Sequence, residues 1–116
     1  MIGPGCSRGE VWVVNFNPGR GSEQRGRRPA LIIQNDVGNR YASTTIVAAI
    51  TTTVRKYPVT VVLDCHEGGL DQPSMVNLSQ ILTVDKRRLM KKLGTISAVH
   101  LAEVDAALTI SLGLGE

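Results

Sequence analysis

The fold is decided by the stretch Gly21–Thr51, which contains GSEQRGRRP (Gly21–Pro29), ALIIQ (Ala30–Gln34), NDVGN (Asn35–Asn39) and TTIVAAIT (Thr44–Thr51). ALIIQ and TTIVAAIT have the β-branched and aliphatic composition of strands, and TTIVAAIT is apolar enough for burial on both faces. NDVGN is made of residues that form tight turns. The pattern therefore predicts two buried strands joined by a turn and preceded by a polar, basic loop.

The basic loop carries three arginines, Arg25, Arg27 and Arg28, and the last of them precedes Pro29. Because a proline disfavours helical backbone in the residue before it, Arg28 is expected to be extended. The second strand ends in a hydroxyl, that of Thr51. A guanidinium and a hydroxyl held close together suit a phosphate, since both donate hydrogen bonds to its oxygens.

The loop itself, Arg20–Arg28, is about nine residues long, which is more than a hairpin requires. A long polar loop between strands is more often functional or mobile than structural.

Three further segments have strand composition: Glu10–Phe16, Val59–Leu63, and Met75–Leu78 with Gln80–Val84. Glycine-rich turns separate them, and Glu67–Pro73 is the longest such turn. Strands at this spacing predict a mainly β protein, either a small antiparallel barrel or a compact curled sheet.

Two helices are expected in the last third of the chain. Asp85 is a suitable N-cap for a short helix over Lys86–Lys91 that Gly94 ends. Ser97 begins a longer helix that ends at Gly113. Its apolar residues recur at helical spacing and predict a face that covers the sheet, with Glu103 on the opposite face: Leu101, Val104, Leu108 and Leu112.

Composition predicts one domain over residues 8–116, preceded by a flexible leader over residues 1–7. The net charge of +3 is modest, but the basic residues are clustered, and a polyanion or an acidic peptide is the expected partner. One cluster lies in the last third of the chain and comprises Lys86, Arg87, Arg88, Lys91 and Lys92. This cluster is equally consistent with a solvated face. Aromatic residues make up only 3% of the chain, which argues against an aromatic stacking platform for RNA.

Neither the cysteines nor the histidines have the spacing of a metal site, so no metal and no cofactor are expected. Cys6 and Cys65 are too few for a disulfide framework, which favours a reduced, cytoplasmic setting. His100 is expected to be structural, and His66 is a weak metal or catalytic candidate. No apolar run is long enough to predict a membrane span.

Several linked motifs resemble the MazF/PemK (Kid) toxins of bacterial toxin–antitoxin modules. They are the run Gly21–Pro29 with its Arg28-Pro29 ending, Ile33–Asp36, and Val47–Thr51. The resemblance extends over Arg8–Leu114. It implies an SH3-like antiparallel β-barrel with a C-terminal covering helix, a homodimer, and a metal-independent endoribonuclease that cuts single-stranded RNA. It also implies a cognate, MazE-like antitoxin with an acidic segment that occupies the RNA groove.

The resemblance assigns catalysis to Arg28 and Thr51. It assigns the RNA site to Ser22, Glu23, Gln24, Arg25, Arg27 and Gln80. Cleavage in this family proceeds by attack of the ribose 2′-OH and leaves a 2′,3′-cyclic phosphate and a 5′-OH. Because arginine is protonated at neutral pH, Arg28 is expected to stabilise charge and to protonate the leaving oxygen rather than to act as general base, and the base is left unassigned. Ser79 stands where many relatives have an acidic residue, so Ser79 is not expected to act as an acid or a base.

Two other classes of function remain open at this point. A non-enzymatic toxin similar to the CcdB gyrase poisons would act through its C-terminal helix and would need neither Arg28 nor Thr51. A plain nucleic-acid-binding barrel would bind RNA without cutting it. The basic loop and the Ala-Ala-Ile-Thr ending of Val47–Thr51 favour the enzyme.

Overall fold

The computed structural model describes residues 3–18 and 25–115. The strands are β1 (Glu10–Asn15), β2 (Arg27–Ile32), β3 (Thr44–Thr51), β4 (Thr60–Leu63), β5 (Ser74–Asp85) and β6 (Leu89–Thr95). The helices are α1 (Asp36–Tyr41) and α2 (Ala98–Ser111), and two short 3₁₀ turns occupy Glu67–Gly69 and Lys86–Arg88. No helix within the described ranges is long and apolar enough to cross a membrane.

All six strands belong to one antiparallel sheet in the order β4-β5-β3-β2-β1-β6. The central strand β3 pairs with β2 on one side and with β5 on the other. A bulge interrupts β5, because Ala48 pairs with Ile81 whereas the next residue, Ala49, pairs with Asn77. This bulge redirects β5 and adds local twist to the sheet.

Both faces of the sheet are buried around its central strand, which explains the apolar run Ile46–Ile50 of β3. Successive residues of a strand point to opposite faces. Leu31 and Ala48 accordingly belong to a first core, and Ile32 and Val47 belong to a second. Helix α2 covers the first core, where Val104 is fully buried.

The two ends of the sheet approach each other through a glycine contact. Gly69, in the 3₁₀ turn that precedes β5, has a left-handed φ of 78° and packs directly on the backbone of Leu93 in β6. A Cβ atom on Gly94 would lie only 2.6 Å from the carbonyl carbon of Gly68. The sheet is therefore strongly curled, although β4 and β6 remain its edges and its ladders do not close within the described residues. The predicted mainly β fold with a covering C-terminal helix is confirmed.

The predicted turn at Asn35–Asn39 is wrong, because this segment begins helix α1. The Oδ1 atom of Asn35 accepts a hydrogen bond from the N–H of Gly38 at 2.8 Å and caps the helix. Asparagine is favoured at turns and at helix N-caps alike, so Asn35 does not distinguish a tight turn from the start of a helix.

The basic loop is shorter than predicted, since strand β2 begins at Arg27 and ends at Ile32 rather than spanning Ala30–Gln34. Arg27 and Arg28 pair with Asn15 and Val14 of β1. Tertiary pairing with β1 thus extends the strand into polar residues.

The predicted helix over Lys86–Lys91 is also wrong. Asp85 is an N-cap as predicted, because one of its carboxylate oxygens accepts a hydrogen bond from the N–H of Arg87 at 2.8 Å. However, only one 3₁₀ turn follows. Strand β6 then runs through Gly94, the residue that was expected to end a helix. Pairing with β1 overrides the weak strand propensity of this lysine-rich segment.

Helix α2 begins as predicted, with Ser97 as its N-cap. Leu101, Val104 and Leu108 pack against the first core, and Glu103 is exposed. Leu112 does not belong to that face, because it lies past the last helical residue and is 57% exposed.

Candidate active site

Strands β2 and β3 bring Arg28 and Thr51 together. Their ladder pairs Ala30 with Ala49, and the same antiparallel register continued by two residues places Arg28 opposite Thr51. Directly opposed residues of an antiparallel pair project from the same face of the sheet. Both residues line one cleft.

This cleft, which we call the Arg28–Thr51 cleft, has a volume of about 520 Å³. It is formed by the outer ends of β2 and β3, by the segment that leads into β5, and by the middle of β6. Its lining residues are Arg28, Pro29, Ile50, Thr51, Thr52, Gly69, Leu70, Asp71, Gln72, Ser74, Lys91, Lys92 and Leu93.

The Arg28 side chain is exposed and partly fixed. Its Nε atom donates a hydrogen bond to the carbonyl of Arg25 at 2.9 Å. The backbone of Arg28 is held in β2 opposite Val14, and Pro29 follows in the same strand. This bond uses one of the five guanidinium N–H groups, so the terminal nitrogens remain suited to a phosphate.

The Thr51 hydroxyl is held at the end of β3. Its Oγ1 atom accepts a hydrogen bond from the N–H of Thr53 at 3.1 Å. A hydroxyl that accepts one bond still carries a proton that it can donate. Arg28 and Thr51 therefore offer a positively charged donor and a neutral donor to one anionic oxygen cluster.

Two lysines of β6 also reach the cleft, but they differ in their partners. Lys92 forms an ion pair with Glu10, with 3.0 Å between Nζ and Oε2. Burial raises the pKa of Glu10, but hydrogen bonds from Trp12 and Ser7 and the Lys92 contact outweigh it, so this pKa lies below its usual value. Lys91 is exposed and has no ion-pair partner in the described part of the chain. Lys91 therefore adds to the cleft a positive charge that no described residue neutralises in an ion pair.

The other predicted site residues are not all brought to this cleft. Ser22, Glu23 and Gln24 lie outside the described residues. Arg27 begins β2 and Arg25 lies two residues before it. Both are exposed, and neither lines the cleft. Gln80 lies in the bulge of β5, on the side of β3 away from β2, and does not line the cleft.

Sequence reasoning missed the acidic and amide side chains of the cleft, Asp71 and Gln72, and gave Lys91 no specific position. The sequence pattern predicts a turn at Asp71 and Gln72 and a helix at Lys91. The sequence feature that could have indicated these cleft residues is the Asp-Gln-Pro turn directly before a strand, and such a turn alone is a weak indication of a functional site.

The cysteine and histidine side chains form no metal cluster with other described residues. Within residues 3–18 and 25–115, no group of three or more His, Cys, Asp or Glu side chains is placed to hold a metal ion. His100 contributes instead to packing of α2, since its Nδ1 lies 3.0 Å from Oε2 of Glu67.

A family model described as PemK-like, MazF-like toxin of type II toxin–antitoxin system matches residues 7–112. The chain belongs to this family. Endoribonuclease MazF of Staphylococcus epidermidis is 49% identical over 109 residues, which cover 92% of this chain and 91% of that protein. The MazF-like toxin family therefore accounts for almost the whole chain.

Solved structures agree with this assignment. MazF from Deinococcus radiodurans has a TM-score of 0.80 at 32% identity, covering 96% of this chain and 99% of that one. An endoribonuclease from Mycobacterial species, solved in complex with its cognate antitoxin, has a TM-score of 0.82 at 27% identity and covers 96% of this chain and 98% of that one.

Proposed function

We infer that this MazF-like toxin is an endoribonuclease that cuts single-stranded RNA without a metal ion and so arrests growth by inhibiting translation. The observation that carries the proposal is the meeting of Arg28 and Thr51 in one open, positively charged cleft. The 49% identity to an endoribonuclease MazF supports the same activity.

The proposed reaction is attack of a ribose 2′-OH on the adjacent phosphorus, which gives a 2′,3′-cyclic phosphate and a 5′-OH. Negative charge accumulates on the phosphoryl oxygens in the transition state, and donors that are already in position stabilise it. Arg28 supplies charge and protonates the leaving 5′ oxygen, and Thr51 supplies the second donor. Lys91 contacts a neighbouring phosphate.

The RNA on either side of the scissile bond is bound by the loop and by β5. We assign these contacts to Ser22, Glu23, Gln24, Arg25, Arg27 and Gln80. Arg25 and Arg27 are exposed and bind the RNA backbone or the antitoxin. Gln80 reaches RNA from the opposite side of β3, which makes the binding surface wider than the cleft itself.

The partner of the toxin is a cognate antitoxin whose acidic, partly disordered segment folds into the basic groove. The antitoxin-bound Mycobacterial structure supports such a partner. Because charges drive the antitoxin contact, the affinity of the toxin for the antitoxin should fall as salt is raised, and an affinity independent of salt would contradict the electrostatic contact.

The toxin is proposed to act as a cytoplasmic homodimer, and its curled sheet corresponds to the SH3-like barrel of the family.

Cleavage of a long RNA in the presence of EDTA tests the activity. The parent protein should give discrete fragments with cyclic-phosphate ends, and the Arg28→Ala variant should leave the RNA intact on the same time scale. RNA that stays intact with both proteins would contradict the proposal.

A substrate with 2′-deoxyribose at one mapped scissile position tests the chemistry. The 2′-OH is the nucleophile, so cutting should disappear at that position and persist at unmodified sites in the same molecule. Cleavage at the deoxy position would show that another nucleophile attacks.

A further inference from the structure

The 2′-OH mechanism needs a proton acceptor that neither Arg28 nor Thr51 provides. Arginine and lysine side chains are protonated at neutral pH and have no acceptor, so Arg28 and Lys91 cannot accept the 2′ proton. The Thr51 hydroxyl is a very weak base. We propose that Asp71 is the general base, an inference that rests on the proposed ribonuclease function.

The segment that leads into β5 brings Asp71 to the Arg28–Thr51 cleft. Asp71 lies four residues before Met75, which pairs with Thr51 across the β3–β5 ladder. The Sγ atom of Cys65 donates a hydrogen bond to the Asp71 carbonyl at 3.1 Å and helps to fix the backbone there. Asp71, Arg28 and Thr51 all line the same cleft.

The Asp71 carboxylate is also available for proton transfer. Its side chain is exposed and makes no hydrogen bond or ion pair with any described residue. The neighbouring carboxylates are engaged: Glu10 pairs with Lys92, and Glu67 accepts from the N–H of Ser97 at 2.6 Å. Of the described residues that line the cleft, Asp71 alone carries a carboxylate.

The Asp71 carboxylate does not cancel the attraction of the cleft for RNA. Lys92 is neutralised by Glu10, which leaves Arg28 and Lys91 against Asp71. The cleft therefore keeps a net positive charge with Asp71 ionised. Phosphate binding and an anionic base are compatible there.

In the proposed step, a carboxylate oxygen of Asp71 takes the proton from the 2′-OH as the O2′–P bond forms. The P–O5′ bond breaks, and the leaving oxygen takes a proton from Arg28. Asp71 then releases its proton to water and Arg28 regains one from water. The products are a 2′,3′-cyclic phosphate and a 5′-OH, and no other reactant is needed.

The test compares Asp71→Asn with the parent protein in single-turnover cleavage of RNA. Removing a general base should slow cleavage about 10²–10⁴-fold. RNA affinity should stay equal or increase, because one negative charge is lost from the cleft. Asp64→Asn is the matched control, because Asp64 is exposed on the same segment and does not line the cleft. It should cut at the parent rate.

Two readouts separate a base from a residue that only shapes the cleft. Added formate should restore part of the activity of Asp71→Ala, since a small carboxylate can occupy the space. A substrate with sulfur in place of the leaving 5′ oxygen departs without a proton, so it should rescue Arg28→Ala and leave Asp71→Asn slow.

Each outcome has one meaning. If the parent cuts RNA and Asp71→Asn cuts at the same rate, the assignment of Asp71 is overturned while the ribonuclease function stands. The assignment is also overturned if Glu23→Gln, rather than Asp71→Asn, shows the loss and the formate rescue. If the parent leaves RNA intact, the proposed function itself fails.

Discussion

Arg28 of β2 and Thr51 of β3 face each other two residues beyond the last paired positions of their strands, Ala30 and Ala49. The β2–β3 ladder stops before these two residues, and both line the Arg28–Thr51 cleft. Each is paired on its other side, Arg28 with Val14 and Thr51 with Met75, so the backbone of both residues is held within the sheet. Donors that are already in position are what electrostatic catalysis requires.

Thr51 should act in RNA cleavage through its hydroxyl group rather than through the shape of its side chain. Thr51→Val keeps the volume but removes the donor, and we expect the cleavage rate at saturating RNA to fall about 10²–10³-fold. Thr51→Ser keeps the hydroxyl and should stay close to the parent rate. Initial-rate measurements on one RNA check this, and a Val variant as fast as the parent would remove Thr51 from the chemistry.

Lys91 should contribute to RNA affinity through one phosphate contact. Replacing it by alanine should weaken binding and reduce the slope of log affinity against log salt by about 0.7, the value for one phosphate on a single strand. Lys56→Ala is the control, because Lys56 is exposed and lies outside the cleft. Binding titrations at several salt concentrations with uncleavable deoxy-substituted RNA measure both slopes, and equal slopes for the two variants would exclude the contact.

The glycine contact that curls the sheet should be essential to stability. Gly69 and Gly113 both have left-handed φ values, 78° and 68°, but only Gly69 packs on another segment. Gly113→Ala should cost about 1–2 kcal/mol of the free energy of unfolding, the conformational penalty alone. Gly69→Ala should cost about 3 kcal/mol or more, because its methyl group also meets the Leu93 backbone. Urea denaturation of both variants tests the difference, and equal losses would contradict the packing.

Glu67 should make the attachment of α2 sensitive to acid. A hydrogen bond from the Ser97 N–H, together with the His100 contact, holds the pKa of Glu67 below its usual value of 4.5. A carboxyl whose pKa is lowered by folding stabilises the protein above its unfolded pKa and loses that contribution as the pH falls through the folded pKa.

Glu67→Gln should therefore lower the free energy of unfolding at neutral pH, and the difference from the parent should shrink below about pH 4.5. Glu103→Gln, an exposed change on α2 itself, serves as the control and should show no such trend. Denaturation at a series of pH values gives the two curves. A difference that stays constant down to strongly acidic pH would exclude this role for Glu67.

Local composition was sufficient for some elements. Strand β3 was predicted with its observed bounds, Thr44–Thr51, because an uninterrupted apolar run between polar residues has few alternatives. The start of α2 followed from Ser97 in the same way. Strand β6 was missed because Lys91, Lys92 and Gly94 do not favour a strand, and only pairing with β1 makes them one.

The site was predictable to the extent that it lies within one continuous motif. Arg28 and Thr51 sit at the ends of adjacent strands, so their meeting followed from a simple strand pair. Asp71 and Lys91 reach the cleft because the whole sheet curls and the Gly69 turn packs on β6. Such long-range closure depends on tertiary packing that a local pattern does not contain.

The central claim is that Arg28 and Thr51 act as one unit on a single phosphate. The most direct measurement is single-turnover RNA cleavage in EDTA by Arg28→Ala, Thr51→Val and the double variant, with analysis of the fragment ends. Groups that act as a unit are not additive. The account predicts a double variant about as slow as the slower single variant; losses that multiply, or cleavage at the parent rate, would contradict it.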